Sequence, residues 1–199
     1  VDLFVGGGKD YFNKRKDKRN LLEEMSGYTF VNSLEEFKKT TSKKIGFFTY
    51  PGEPPSKNLG RGPSLESLTE ISLNKISKDK SFFIMVEGSQ IDWGGHDNSL
   101  NYVLSEFKEF DLAIGKALEF AKADGNTLVI VTADHETGGL SLNGGNVNKS
   151  RVRADFNSGS HTGTMVPVFS YGPHSNLFKG IYDNTAIFDK MLTAINEGK

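Results

Sequence analysis

The sequence predicts an α/β fold with a mostly parallel central sheet. Two continuous apolar runs of strand length, "SFFIMV" (81–86) and "TLVIVTA" (127–133), flank a long segment of helical period. Strand-like and helix-like segments also alternate along the chain, which is typical of this class. Continuous apolar strands indicate a sheet covered on both faces. In such sheets ligands bind beyond the carboxyl ends of the strands.

The first part of the chain contains short predicted elements. Strands are predicted at "DLFV", "YTFV" and "KIGFFTY". Ser33 is predicted to open the helix "SLEEFKKT", and Ser64 is predicted to cap a helix over 65–79. The Pro-, Gly- and Ser-rich stretch "PGEPPSKNLGRGPS" between them predicts a loop.

The second part is dominated by one amphipathic pattern. Apolar residues at steps of three and four from Leu100 to Ala121 predict a long helix, capped by Asp97 or Asn98 and ended by "DGN". "VPVFSYG" predicts a strand, and Pro167 places it at a strand start or a sheet edge. "NTAIFDKMLTAINEG" predicts a terminal helix, and the polar, glycine-rich stretch over 142–160 predicts irregular structure.

Composition narrows the classes of protein. The 199 residues are 36% hydrophobic and 25% charged, as in a globular protein, and the net charge of -1 gives no argument for nucleic acid or acidic lipid. The short basic run "NKRKDKRN" predicts a solvated surface. Without cysteine, thiolate chemistry is excluded. No stretch has the length of a membrane-spanning helix. The apolar opening "VDLFVGGGKDYF" resembles the middle of a protein, so we expect a fragment.

Acidic and imidazole side chains gather where the two apolar runs end. If these strands are parallel neighbours, the following residues emerge at one end of the sheet: Glu87, Asp92, His96, Asp134 and His135. Gathered carboxylates are costly to desolvate without a cation. Carboxylate with neutral imidazole suits zinc, and oxygen alone suits magnesium. His161, in "SGSHTGTM", is a third contributor. The sequence therefore predicts a metal site.

Three other residues have ordinary structural explanations, and a fourth, Trp93, has two possible roles. His174 has no acid near it in sequence, which indicates an exposed loop residue. Asp97 is expected to cap a helix and Asp2 to start a strand. Trp93 is either a lid over the site or a packing residue, and the sequence leaves both open.

The motifs "MVEGSQIDWGGH", "TADHETGG" and "HTGTMVPVFSYGP", in this order and spacing, resemble the carboxy-terminal half of the alkaline phosphatases. "LFVGGGKDYF" is similar to the family's glycine-rich segment. The resemblance runs from about residue 1 to the end. It implies a three-layer α/β/α sandwich, with residues 1–199 as the carboxy-terminal part of a single domain.

The resemblance also implies roles for the candidate residues. Glu87 would bind one magnesium ion, the trio Asp92, His96 and His161 would bind a first zinc ion, and Asp134 with His135 would bind a second. The implied reaction is hydrolysis of a phosphomonoester through a phosphoserine, with release of inorganic phosphate. The family is often dimeric and secreted, so a homodimer and a periplasmic or secreted location are implied, without nucleic-acid or membrane partners.

Several family features have no match here. The Asp-Ser-Ala type nucleophile motif, the aspartate bridging the second zinc and magnesium, the magnesium-site threonine and the phosphate-binding arginine are missing from these residues. We therefore expect weak or absent turnover from this chain alone. Trp93 stands where the family often has lysine or histidine, and this difference is expected to affect phosphate binding. The alternatives are another superfamily member, a phosphomutase or phosphodiesterase, or a non-catalytic metal-binding module.

Overall fold

The computed structural model describes residues 1–78 and 81–197. The chain divides into two compact units, the first unit Val1–Val86 and the second unit Glu87–Lys199. The expectation that residues 1–199 are part of a single domain stays a prediction.

The first unit is built on a parallel sheet of three strands in the order β1-β3-β2. Its strands are β1 (Leu3–Gly6), β2 (Thr29–Val31) and β3 (Ile45–Phe48). Its helices are α1 (Asp10–Asn13), α2 (Leu21–Glu24), α3 (Leu34–Lys39) and α4 (Leu65–Ile76), with a 3₁₀ turn at Lys57–Leu59. The three strands predicted here are confirmed, and the parallel pairing agrees with the predicted class.

Both faces of this sheet are covered by other side chains. Successive side chains of a strand point to opposite sides, so each strand contributes residues to both faces. One face carries the core cluster of Val31, Phe37, Ile45 and Phe47, against which residues of α3 and α4 pack. The other face carries aromatic rings in mutual contact, namely Phe4, Phe12, Tyr28, Phe30 and Phe48. This explains why the strand sequences are apolar throughout.

Both predicted helix caps of the first unit are confirmed. The Ser33 side chain accepts a hydrogen bond from the Glu36 N–H at the start of α3, and the Ser64 side chain accepts one from the Ser67 N–H at the start of α4. Each bond satisfies a backbone donor that the first helical turn leaves open. The last residue of the predicted helix 65–79 lies outside the described residues.

The second unit combines helices with short antiparallel ladders. Its helices are α5 (Gln90–His96), α6 (Leu100–Asp124) and α7 (Ala186–Glu197), with 3₁₀ turns at Val147–Lys149 and Ser175–Phe178. Its strands are β4 (Val129–Val131), β5 (Glu136–Thr137), β6 (Ser141–Asn146), β7 (Arg151–Asp155), β8 (His161–Thr162) and β9 (Phe169–Tyr171). The ladders are β4-β9, β5-β8 and β6-β7. Predicted strands β4 and β9 and the terminal helix α7 are confirmed.

Helix α6 matches the predicted amphipathic helix and ends at Gly125, whose φ of 71° is left-handed. The predicted cap is wrong, since Ser99 occupies the N-cap position. Asp97 instead ends α5, and Asn98, with φ 49°, makes the turn between the two helices. The sequence pattern did not predict α5, so it assigned these two residues to the wrong helix end.

The predicted strand over 81–86 is not formed. The segment is neither strand nor helix, and its side chains alternate in exposure, with Phe83 71% and Met85 78% exposed. A strand is defined by ladder hydrogen bonds, and this segment is not one of the strands that form ladders within the described residues. Strand β4 pairs antiparallel with β9. The expected parallel pairing of residues 81–86 with β4 stays a prediction, since the two segments belong to different units.

The stretch predicted to be irregular forms most of the hairpin β6-β7. Its strands are exposed and pair antiparallel, with a bulge between Leu142 and Gly144. Asn146 accepts a hydrogen bond from the Lys149 N–H and so organises the turn. Turn-forming residues in the strands have low β-propensity, so the sequence did not predict the hairpin.

None of the helices among the described residues has both the length and the apolar character of a membrane-spanning segment.

Candidate metal centre

Helix α5 places two of the candidate ligands on one side of a helix. Asp92 and His96 lie four residues apart, a spacing that makes side chains neighbours on a helix surface. The glycines between them allow close packing: a Cβ on Gly94 would lie 2.8 Å from the backbone N of Val103 in α6. The "WGG" sequence, unusual for a helix, therefore serves the packing of α5.

The β5-β8 ladder brings in the third ligand. It pairs Glu136 with Thr162 and Thr137 with His161. Beside the ladder, Cβ atoms on Gly95 and Gly138 would lie 2.8 Å from the Thr137 carbonyl oxygen and 2.7 Å from the Gly95 carbonyl oxygen respectively. Only side chains as small as glycine allow α5 and β5 to approach this closely.

Asp92, His96 and His161 form a compact trio. The two Nε2 atoms of His96 and His161 are 3.1 Å apart. The Asp92 carboxylate reaches both imidazoles, with Oδ2 3.5 Å from His96 Nε2 and Oδ1 3.3 Å from His161 Nε2. Their ligand atoms all lie within 4.8 Å of one another. These side chains are partly exposed, at 34%, 40% and 49% respectively.

A backbone contact orients one imidazole toward the trio. His96 Nδ1 lies 2.8 Å from the Gly159 carbonyl oxygen. A carbonyl only accepts, so in neutral His96 the proton is on Nδ1 and the Nε2 lone pair faces His161 and Asp92. This is the arrangement that a metal-binding histidine requires.

Asp134 and His135 follow β4 and adjoin the trio. His135 Nε2 lies 3.2 Å from Asp134 Oδ2, and the His135 ring stacks on the His161 ring with centroids 3.5 Å apart. Asp134 also accepts a hydrogen bond from the His135 N–H, although its side chain is 84% exposed. Three separate turns of the chain therefore meet at His161.

Other residues singled out in the sequence lie elsewhere. Glu87 is exposed and is not part of the group of ligand atoms formed by Asp92, His96 and His161 among the described residues. His174 has no acid near it in sequence, but in the structure its Nδ1 lies 3.3 Å from Glu197 Oε2 in α7. That carboxylate comes from a distant part of the sequence. Trp93 is 41% exposed, which leaves both of its interpretations open.

Sequence reasoning missed two residues that organise the centre. Thr137 Oγ1 lies 2.5 Å from Asp92 Oδ1 and 3.2 Å from His135 Nδ1. Glu136 accepts hydrogen bonds from the Gly139 and Leu140 N–H groups and from the Thr162 hydroxyl. Burial raises the pKa of Glu136, but these hydrogen bonds outweigh it and hold the pKa below its ordinary value. Strand alternation was the available signal for Thr137, since residues two apart share a face.

A comparison with protein families identifies the chain. The alkaline phosphatase family model matches residues 1–156 and 146–196. The chain belongs to the alkaline phosphatase family. Alkaline phosphatase 3 of Bacillus subtilis is 32% identical over 98% of the chain and 58% of that protein. Alkaline phosphatase 4 of the same organism is 32% identical over 100% of the chain and 58% of that protein.

Solved alkaline phosphatases share the fold. The alkaline phosphatase of the Antarctic bacterium TAB5 superposes with a TM-score of 0.89 and 46% identity, over 98% of this chain and 60% of that one. A variant of the TAB5 enzyme with magnesium bound in its M3 site superposes with a TM-score of 0.87 and 44% identity, with the same coverage. The predicted fold class, an alkaline phosphatase-like α/β fold, is confirmed. The chain spans about 60% of the length of these relatives.

Proposed function

We propose that this chain carries the metal-binding part of a metal-dependent phosphomonoester hydrolase, an alkaline phosphatase that acts through a phosphoserine in the intact protein. The observation that supports this most directly is the trio of Asp92, His96 and His161. Membership of the family gives the reaction class.

Zinc fits the trio by chemistry and by size. Two imidazole nitrogens and one carboxylate oxygen form a typical catalytic zinc set, which leaves a fourth position open. Ligand atoms around a tetrahedral zinc ion lie about 3.3 Å apart, given zinc–ligand distances of about 2.0–2.1 Å. The three contacts within the trio measure 3.1, 3.3 and 3.5 Å. The side chains therefore have nearly the spacing that the ion requires.

The remaining candidates complete the proposed ligand sets. Asp134 and His135 would hold the second zinc ion, and the stacking of the His135 ring on the His161 ring supports the proposal of two neighbouring sets. Glu87 would contribute to the magnesium site.

The protein's own groups position and orient the proposed metal ligands. Paired metal ions supply electrostatic stabilisation to the attacking and leaving oxygens of phosphoryl transfer. His96 is oriented by the Gly159 carbonyl, and Asp92 by Thr137. The substrate is proposed to be a phosphomonoester and the product inorganic phosphate. A homodimer and a periplasmic or secreted location complete the proposal, and neither nucleic acid nor membrane is proposed as a partner.

Zinc binding by the 199-residue chain tests the proposal. We expect the wild-type chain to bind zinc in a chelator-competition titration, and His96→Ala to weaken it by more than about 100-fold, because even outer-shell partners are worth about 10–100-fold. His174→Ala is the matched control, since His174 pairs with Glu197 away from the trio, and its affinity should equal that of the wild type. Equal zinc affinity in all three proteins would overturn the proposal.

Turnover is a separate test. The 199 residues contain no Asp-Ser-Ala motif, so we propose that this chain alone does not hydrolyse p-nitrophenyl phosphate when zinc and magnesium are added. Release of p-nitrophenol at the rate of an intact alkaline phosphatase would show that the nucleophile lies within these residues and would contradict this part of the proposal.

A further inference from the structure

The Thr137 hydroxyl connects the two proposed ligand sets. Its Oγ1 lies 2.5 Å from Oδ1 of Asp92, a proposed ligand of the first zinc ion. The same oxygen lies 3.2 Å from Nδ1 of His135, a proposed ligand of the second. One hydroxyl group therefore contacts a ligand of each proposed set.

Proton counting sets the direction of both hydrogen bonds. A hydroxyl has one proton, and an ionised carboxylate can only accept. The Thr137 O–H therefore donates to Asp92, and its oxygen accepts from His135 Nδ1–H. This places the proton of neutral His135 on Nδ1 and leaves the Nε2 lone pair on the side of Asp134, which Nε2 approaches to 3.2 Å.

The other tautomer of neutral His135 would make a different set of hydrogen bonds. With the proton on Nε2, His135 would donate to Asp134 Oδ2, and Nδ1 would become an acceptor facing the Thr137 hydroxyl. That tautomer would block the nitrogen nearest Asp134 and draw the hydroxyl proton away from Asp92. The Thr137 hydroxyl thus selects between a ligand-ready and a blocked form of the imidazole.

Thr137 is itself held from two sides. It pairs with His161 in the β5-β8 ladder, and its side chain packs so closely on Gly95 that a Cβ there would lie 2.9 Å from the Thr137 Cβ. Its hydroxyl is therefore presented by a fixed backbone. Thr137 touches a residue of each of the three turns that build the centre, because its partners Asp92, His135 and His161 come one from each.

We propose that Thr137 is a positioning residue that fixes the tautomer of His135, orients Asp92, and so couples the two metal-binding sets. The inference rests on the proposed function, since it assigns these residues to zinc. It predicts that loss of one hydroxyl weakens zinc binding by about 10–100-fold, the range for outer-shell partners of metal ligands.

Two substitutions separate the hydroxyl from the packing. Thr137→Val keeps the shape and removes the hydroxyl, whereas Thr137→Ser keeps the hydroxyl and removes the methyl group. Thr132→Val is the matched control, since within the described residues the Thr132 hydroxyl bonds to the carbonyls of Ala133 and Pro167 and not to a proposed ligand. We expect Thr137→Val alone to lose zinc affinity in chelator competition, with the other two variants within about threefold of the wild type.

The tautomer of His135 can be measured in the metal-free chain. Long-range ¹H–¹⁵N spectra of the metal-free chain, recorded where the imidazoles are neutral, should show the His135 proton on Nδ1 in the wild type and in Thr137→Ser. It should move to Nε2 in Thr137→Val, and His135→Gln assigns the signal. The proposal is overturned if Thr137→Val keeps the Nδ1 proton or binds zinc as the wild type does. A wild-type chain that binds no zinc would instead remove the proposed function, and the tautomer comparison would still decide the role of Thr137.

Discussion

The two units of this chain are organised by different interactions. In the first unit, Phe37 is completely buried and stacks on Phe47 inside an apolar cluster between sheet and helices. In the second unit, buried positions include the polar side chains Gln90, Glu106 and Glu109. Hydrogen bonds and glycine contacts, rather than large apolar side chains, hold the turns of the candidate centre in place.

This difference follows from what each unit must present. Burial of apolar surface is non-directional and stabilises about 25 cal/mol per Å², so it suits a scaffold. A metal site needs carboxylates and imidazoles at fixed distances and open to solvent, which apolar packing cannot provide. Directional bonds such as those of Thr137 and Glu136 meet that need.

The largest effect is expected from Phe37→Ala, which empties a completely buried position. Truncations of this kind lower the free energy of unfolding by about 3–5 kcal/mol. The control Phe107→Ala removes a ring that is 57% exposed on α6, and should cost about 0.5 kcal/mol or less. Urea denaturation followed by far-UV circular dichroism measures both.

The single tryptophan, Trp93, lies in the second unit, so its fluorescence reports that unit separately. Phe37→Ala should lower the midpoint seen by circular dichroism more than the midpoint seen by fluorescence. Equal losses for the Phe37 and Phe107 variants would contradict the assignment of the apolar core to the first unit.

Two glycines should respond with opposite signs to the same substitution. A Cβ on Gly46 would lie 2.7 Å from ring atoms of both Phe4 and Phe30, so Gly46→Ala should destabilise by about 1–3 kcal/mol. Gly115 lies inside α6 with open space at its Cβ, so Gly115→Ala should stabilise by about 0.5–1 kcal/mol. Thermal unfolding of the two variants checks the signs. Stabilisation by both would mean that the aromatic face is not packed as described.

The sequence predicted best those elements whose signals are local. Ser33 and Ser64 cap helices as expected, because a cap requires only a hydroxyl and the first helical turn. The strand predicted over 81–86 is not formed, because an apolar run specifies burial but does not specify the ladder hydrogen bonds that define a strand. The hairpin β6-β7 was missed for the converse reason. It has a partner strand but little apolar pattern.

For the candidate centre, sequence supplied the residue types and the structure supplied the distances. The spacing of Asp92 and His96 and the order of the motifs predicted a metal site. The approach of His161 depends on the β5-β8 pairing, which no local pattern announces. His174 shows the limit of sequence reasoning, because it lies close to an acid, Glu197, that is far along the chain.

A smaller effect is expected from Glu136→Gln, which tests the hydrogen-bonded turn beside the centre. The carboxylate accepts from the Gly139 and Leu140 N–H groups and from the Thr162 hydroxyl. The amide offers one acceptor oxygen and turns an NH₂ toward a donor, so we expect a loss of about 1–2 kcal/mol in urea denaturation followed by Trp93 fluorescence. The control Glu119→Gln, on a side chain 71% exposed, should change stability by less than about 0.5 kcal/mol.

The smallest effect separates the units by their helix caps. Ser33 accepts the Glu36 N–H at 3.1 Å, so Ser33→Ala should cost about 1 kcal/mol. Ser99 occupies the same position at the start of α6 but makes no side-chain capping bond. Ser99→Ala should therefore leave the free energy of unfolding within about 0.3 kcal/mol of the wild type, well below the usual cost of a lost cap. Equal costs for the two substitutions in urea denaturation would show that the Ser99 side chain does cap α6. Hydrogen bonding at helix starts would then not distinguish the first unit from the second unit.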